Sequence, residues 1–113
     1  MLRQSEKFEV KGRTLTVSST DVEVMPRVRT FLIGVARSGG TATYGELKVG
    51  ARLTHATNGL GRLLDLVGVD CRRRGEPDLA ALVVTKQTGE VGDEYGAGAA
   101  RERSIVHRHR WSD

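Results

Sequence analysis

The residues best suited to chemistry lie in two stretches, "THATNGLGRLL" at 54–64 and "VVTKQTGEVG" at 83–92. Asn58 and Arg62 carry forked side chains of the kind that pair bidentately with adenine and guanine edges, and Thr57 adds a small hydroxyl beside them. Each also has a plainer use. Asn58 serves equally as the N-cap of a following helix, and Arg62 as a solvated residue on its outer face. Lys86, three residues before Gly89, is a point charge on a turn, suited to a phosphate oxygen. Tyr44 and Arg52 flank the stretch on its N-terminal side. Tyr44 offers a hydroxyl to a phosphate or a ring to the core, and Arg52 offers a cation.

Other chemistries find weaker material. His107 and His109 stand two apart, with His55 far off and no cysteine or carboxylate partner, so they do not make a ligand set and no metal or cofactor is expected. Asp65, Asp70, Asp78, Asp93 and Glu94 are scattered rather than grouped as in a nuclease. Ser18, Ser19 and Ser104 have no nucleophile-elbow context. The glycines of "GEVGDEYGAG" follow neither a dinucleotide-binding nor a P-loop pattern. Cys71 is the single cysteine, which excludes a disulfide framework. No enzyme activity is expected.

The elements that must position these residues can be read from the apolar spacing. "KFEVKGRTLTV" reads as two short strands turning at Gly12, or as an edge extension of a sheet. A helix follows, with a capping box at Thr20 and Glu23, or else with Pro26 as its first residue. Its apolar positions are 28, 31, 32 and 35, and Gly39-Gly40 ends it. A second capping box, Thr43 with Glu46, opens a short helix weakened by Gly50. A polar connection runs from Thr54 to Asn58. The third helix buries Leu60, Leu63, Leu64 and Val67 and ends in Arg72, Arg73 and Arg74, with Gly75 as the stop. "LAALVV" has strand length, and "TKQTGEVGDEYGAG" reads as a turn and returning strand, together a β-hairpin. Ala99 to His107 forms a last helix before the exposed basic tail "HRHRW".

Three helices followed by a hairpin is the winged-helix plan, here an α+β domain with an N-terminal β extension. At 113 residues there is room for one core and one domain. It divides into an extension at 1–20, a helical core and wing at 21–95, and a C-terminal helix and basic tail at 96–113. The formal charge is +4, with fourteen arginines among the eighteen basic residues. That excess favours a polyanionic partner, because Lys and Arg displace counterions from phosphates. The N-terminus lacks a continuous apolar run and no segment is long enough to span a bilayer, so a cytoplasmic protein without membrane attachment is expected.

"TYGEL", "NGLGRLL" and "ALVVTKQTGEVGDEY" together resemble the C-terminal DNA-binding domain of the methylguanine-DNA alkyltransferases and the alkyltransferase-like proteins. The resemblance covers residues 43 to 95, roughly half the chain. It implies a winged helix that binds double-stranded DNA, with the tyrosine of the second helix, Tyr44, facing the duplex. The alkyltransferases place Pro-Cys-His-Arg before their paired valines. Here "LAALVV" stands there, the nucleophile position falls on or near Ala80, and alkyl transfer is not expected. The stretch from 43 to 111 is also similar to a group of small, uncharacterised bacterial and phage proteins sharing "YGEL", "ALVV" and a terminal tryptophan. The expected function is therefore non-enzymatic DNA binding, with the third helix in the major groove and the hairpin on the backbone. The contacts would come from Tyr44, Arg52, Thr57, Asn58, Arg62 and Lys86. A protein-interaction module on the same scaffold is the alternative.

Overall fold

The computed structural model describes residues 2–10, 12–54, 60–84 and 99–111. Its element order is β1 (Lys7–Val10), β2 (Arg13–Thr16), α1 (Ser19–Ser38), β3 (Ala42–Thr43), α2 (Tyr44–Gly50), α3 (Leu60–Arg73), a 3-10 helix (Leu79–Leu82), β4 (Val83–Val84) and α4 (Ala99–Arg108). The fold is α+β. Among the described residues, no helix is long and apolar enough to cross a membrane.

β1 and β2 form the expected antiparallel hairpin, with Val10 opposite Arg13 and Phe8 opposite Leu15. That register leaves a two-residue turn, and Gly12 takes φ +78°, a left-handed conformation that glycine adopts without steric cost. Leu15 and Val17 enter the core, while Phe8 packs against it under the Arg73 guanidinium, 5.6 Å from the ring centre. The ladder continues past the strands, where Ser5 N–H donates to Val17 O and Val17 N–H to Glu6 O.

α1 starts two residues earlier than the Thr20–Glu23 spacing predicts. Ser18 is the N-cap and Asp21 completes the box, each donating its backbone N–H to the other's side chain. The earlier box prevails because Asp21 also accepts an ion pair from α3, which Glu23, exposed on the opposite side, does not. Pro26 lies inside the helix rather than at its start. It deprives the Val22 carbonyl of its helical donor. Twelve further residues of helix carry α1 past it, with Val28, Leu32, Ile33 and Ala36 on the buried face. Gly39, at φ +74°, closes the helix as expected.

"LAALVV" departs from expectation. Leu79–Leu82 is a 3-10 helix capped by the Asp78 carboxylate on Ala80 N–H, and only Val83 and Val84 are strand. All six residues are buried. A short apolar run buried on every side shows no alternation, so its period cannot separate strand from helix. β4 pairs with β3 in parallel, Ala42 against Val83 and Thr43 against Val84. The expected hairpin beyond Val84, including Lys86, lies outside the described residues.

The core is aliphatic. Leu32, Leu47, Leu60, Leu63, Leu66, Leu79 and Leu82 are fully buried, and each such side chain contributes about 1.5–3 kcal/mol relative to exposure. The 3-10 helix is its hub, touching α1, α3 and α4. The terminal tail is not a solvated arm up to Trp111. Trp111 is buried, its Nε1 donating to Val106 O at 3.0 Å, and Arg37 donates to the Trp111 carbonyl at 2.8 Å. An indole is large enough that burying it against Arg29 and α4 outweighs the solvation of the flanking arginines.

Candidate nucleic-acid interface

Two junctions along α1 carry the candidate residues described by the structure. At the first, α3 begins against the start of α1. Arg62, in the first turn of α3, forks onto Asp21, with Nη1 to Oδ1 at 2.9 Å and Nη2 to Oδ2 at 2.8 Å. Nη2 also donates to the Thr16 carbonyl. Asp21 is only 1% exposed and further accepts the Ser18 backbone N–H at 2.8 Å. Burial works to raise its pKa, but the hydrogen bonds from Arg62 and Ser18 outweigh it and hold the carboxyl below the ordinary range. Arg62 is pushed up in turn, chiefly by its hydrogen bonds to Asp21. The guanidinium that the sequence offers for a base edge is thus occupied inside the protein, and it is not merely solvated. Next to it Arg13 pairs with Asp65 of α3 at 3.1 Å.

At the second junction, α2 ends against the middle of α1. Ala51 is the C-cap, and the chain turns through Arg52 at φ +55°. Arg52 N–H donates to Val49 O and Leu53 N–H to Lys48 O, the paired reversed bonds of a Schellman motif. Such a turn normally places glycine where Arg52 stands, because an L side chain in the left-handed region costs about 1 kcal/mol or more. From α1, Arg27 Nε donates to Ala51 O at 2.9 Å and Nη2 to Arg52 O at 3.3 Å. Gly50 has no side chain for a different reason: a Cβ there would lie 2.2 Å from Phe31 Cε1. The two helices meet at that contact. Pro26, Arg27, Thr30, Phe31, Gly50 and Arg52 line an open groove of about 380 Å³.

Tyr44 is the first residue of α2, half-buried with its ring packed against the core. The Thr43–Glu46 capping box forms as the spacing predicts. Thr57 and Asn58, like Lys86, lie outside the described residues. Of the six candidates, then, three are placed. Arg52 points a charge at solvent, Arg62 spends its charge internally, and Tyr44 divides between the two. Arg27 was missed by sequence reasoning. Gly50, two residues before the place of a C-terminal stop, marks close packing of α2 on α1, but nothing in the spacing points to Arg27 itself.

The remaining basic residues behave in the same two ways. Arg29 forks onto Glu76 at 2.8 and 2.9 Å, Arg73 pairs with Glu6, and Arg74 reaches Asp70 at 3.0 Å. His107 Nε2 lies 2.8 Å from Gly40 O, which ties α4 to the end of α1, and His109 packs edge-on against Trp111 at 4.4 Å. Both tail histidines therefore serve packing rather than standing together. Cys71 is buried and its thiol is pushed up to about 11 by that burial, and Ala80 is buried in the 3-10 helix. A thiol held protonated at neutral pH is a poor nucleophile.

No family profile, no curated protein and no solved structure matches the chain.

Proposed function

We propose that this protein is a non-enzymatic winged-helix module that binds double-stranded DNA, with α3 entering the major groove and the segment after β4 lying on the backbone. The observation that carries the reading is the β3–β4 pair. It brings the chain that follows α3 back beside the start of α2, so Val84 lies next to the place where a wing would begin. The helix order α1, α2, α3 and the buried inner stripe of α3 agree with this. Arg62 has a scaffold role in it, locking the start of α3 to α1. Base contacts fall to Thr57 and Asn58, and phosphate contacts to Arg52, Lys86 and Tyr44.

Fluorescence anisotropy with a labelled duplex across a salt series tests the reading. Binding should weaken steeply with salt, because each phosphate contact adds about 0.9 to the slope of log K against log salt. Asn58→Ala should flatten sequence preference, whereas Lys86→Ala should weaken all duplexes alike. Salt-independent binding, or none, would sink it.

One observation favours a protein partner instead. Val49 of α2 is 79% exposed, beside the groove at Gly50 and Arg52. An apolar side chain held out beside a groove offers a protein partner a contact that a phosphate backbone does not use. Val49→Ser, which removes the apolar surface without adding a charge, would abolish capture of such a partner and leave duplex affinity within about twofold.

A further inference from the structure

Two arginines, Arg27 and Arg52, line the groove between α1 and α2. Among the described residues neither Arg27 nor Arg52 meets a carboxylate, whereas Arg13, Arg29, Arg62, Arg73 and Arg74 each do. Arg27 is half-buried and held in place by its bonds to Ala51 O and Arg52 O, which leaves Nη1 and the rest of its N–H fork directed elsewhere. Arg52 is exposed and lines the same groove. Thr30 brings a hydroxyl and Phe31 an aromatic edge to the same groove.

Arg52 occupies that place against backbone preference. The Schellman turn asks for glycine, and the Gly50–Phe31 contact shows that the chain does use glycine at this helix end where packing needs it. A strained residue persists when its surroundings over-determine it, and here three hydrogen bonds do: Arg52 N–H to Val49 O, Leu53 N–H to Lys48 O, and Arg27 Nη2 to Arg52 O. The last of these couples the two arginines, since the Arg27 side chain braces the turn that presents the Arg52 side chain.

We propose that Arg27 and Arg52 form a two-arginine clamp for a phosphate group, with Thr30 as an additional donor. Two guanidiniums lining one groove, with no acid to satisfy them among the described residues, are the arrangement that oxyanions recognise, and the planar fork suits phosphate oxygens. The groove is open rather than enclosing, which fits a phosphate carried on a passing nucleic-acid strand. This source rests on the DNA-binding reading above; the clamp itself does not, because a free phosphate presents the same oxygens.

The test uses the full chain, duplex DNA and inorganic phosphate. Arg52→Gly should raise the melting temperature, because it relieves the turn. It should also weaken duplex binding on the order of tenfold, as loss of a charged hydrogen bond does, and lower the salt slope by about 0.9. Arg27→Gln should weaken binding as well. NMR of the arginine Nε–Hε signals with added phosphate should shift Arg27 and Arg52 together in the wild type. Duplex binding that is unchanged in both variants, with no arginine shift, overturns the clamp and leaves the DNA reading standing. Phosphate-induced shifts without duplex binding keep the clamp and overturn the DNA reading. Neither binding nor shifts overturns both.

Discussion

The two junctions of α1 are built from the same residue type put to opposite uses. At the α3 junction, Arg62 meets a carboxylate that is 1% exposed, and the charge is consumed in holding two helices together. At the α2 junction, Arg27 donates to the Ala51 and Arg52 carbonyls, neither guanidinium meets a carboxylate among the described residues, and their charge remains available. The partner decides the role: a cation beside a buried acid is structural, and a cation beside backbone oxygens keeps its full charge for something outside. Net charge alone cannot make that distinction, since a single sum of +4 does not say which cations face an acid.

The largest effect should come from the neutralised junction. Arg62→Ala leaves the Asp21 carboxylate buried with only its Ser18 bonds. Breaking one side of a buried pair costs about 3–5 kcal/mol, and the partial exposure of Arg62 brings the expected loss to about 2–3 kcal/mol in urea denaturation. A loss under about 0.5 kcal/mol would place Arg62 among surface pairs and return it to the list of free cations. The same pair sets an acid dependence. The Asp21 carboxyl is depressed in the folded chain, so the unfolded chain binds its proton first. Its contribution is complete above the unfolded value of about 3.9 and is lost as pH falls through the folded one. Thermal melts of the wild type between pH 6 and 3 should therefore decline more steeply than those of Arg62→Ala.

The next effect probes the contact that shapes the other junction. Gly50→Ala gains helix propensity worth about 1 kcal/mol, yet its methyl would enter the Phe31 ring. Three ring atoms lie within 2.9 Å of the added carbon, so the ring must move out of the groove wall. Overpacking of this kind costs about 1–3 kcal/mol, and a net destabilisation of about 1 kcal/mol is expected. A stabilised Gly50→Ala would mean that propensity wins and that the helices do not meet as closely as described. Phe31→Leu in the same background should recover most of the loss.

The two capping boxes give a smaller contrast. Ser18 serves a box whose acid is buried and ion-paired, while Thr43 serves one exposed to solvent. Ser18→Ala should cost about 1–2 kcal/mol and Thr43→Ala about 0.5–1 kcal/mol by the usual range for N-caps. Equal losses would show that the Asp21 network does not strengthen its cap.

Much of this architecture could be read from the chain, and the failures are instructive. The hairpin at Gly12, the ends of α1 and α3 at Gly39 and Gly75, and the Thr43 box all follow from local chemistry, which acts within four residues. "LAALVV" could not be read, because burial on every side erases the period that distinguishes strand from helix. The start of α1 was misplaced for a non-local reason: two boxes compete, and Arg62, forty-one residues away from Asp21, decides between them. The candidate site divides along the same line. Arg52 was legible as a cation after a helix, but neither its coupling to Arg27 nor the loss of Arg62 to Asp21 leaves a trace in spacing. Both depend on which helix faces which.

The smallest effect separates backbone from side chain at Arg52. Arg52→Gly removes the left-handed strain and the charge together, whereas Arg52→Ala removes the charge and keeps the strain. If the turn is strained as its φ implies, the glycine variant should be more stable than the alanine variant by about 0.5–1 kcal/mol, the usual difference at such positions. The alanine variant should match the wild type within about 0.3 kcal/mol, since Arg52 makes no ion pair among the described residues whose loss would register. Both variants should lose duplex affinity equally. That pairing is the sharpest form of the contrast between the junctions: at Arg62 stability falls with the side chain, and at Arg52 stability is indifferent to the side chain while binding is not. An alanine variant as unstable as Arg62→Ala would erase the contrast and make the second junction structural too.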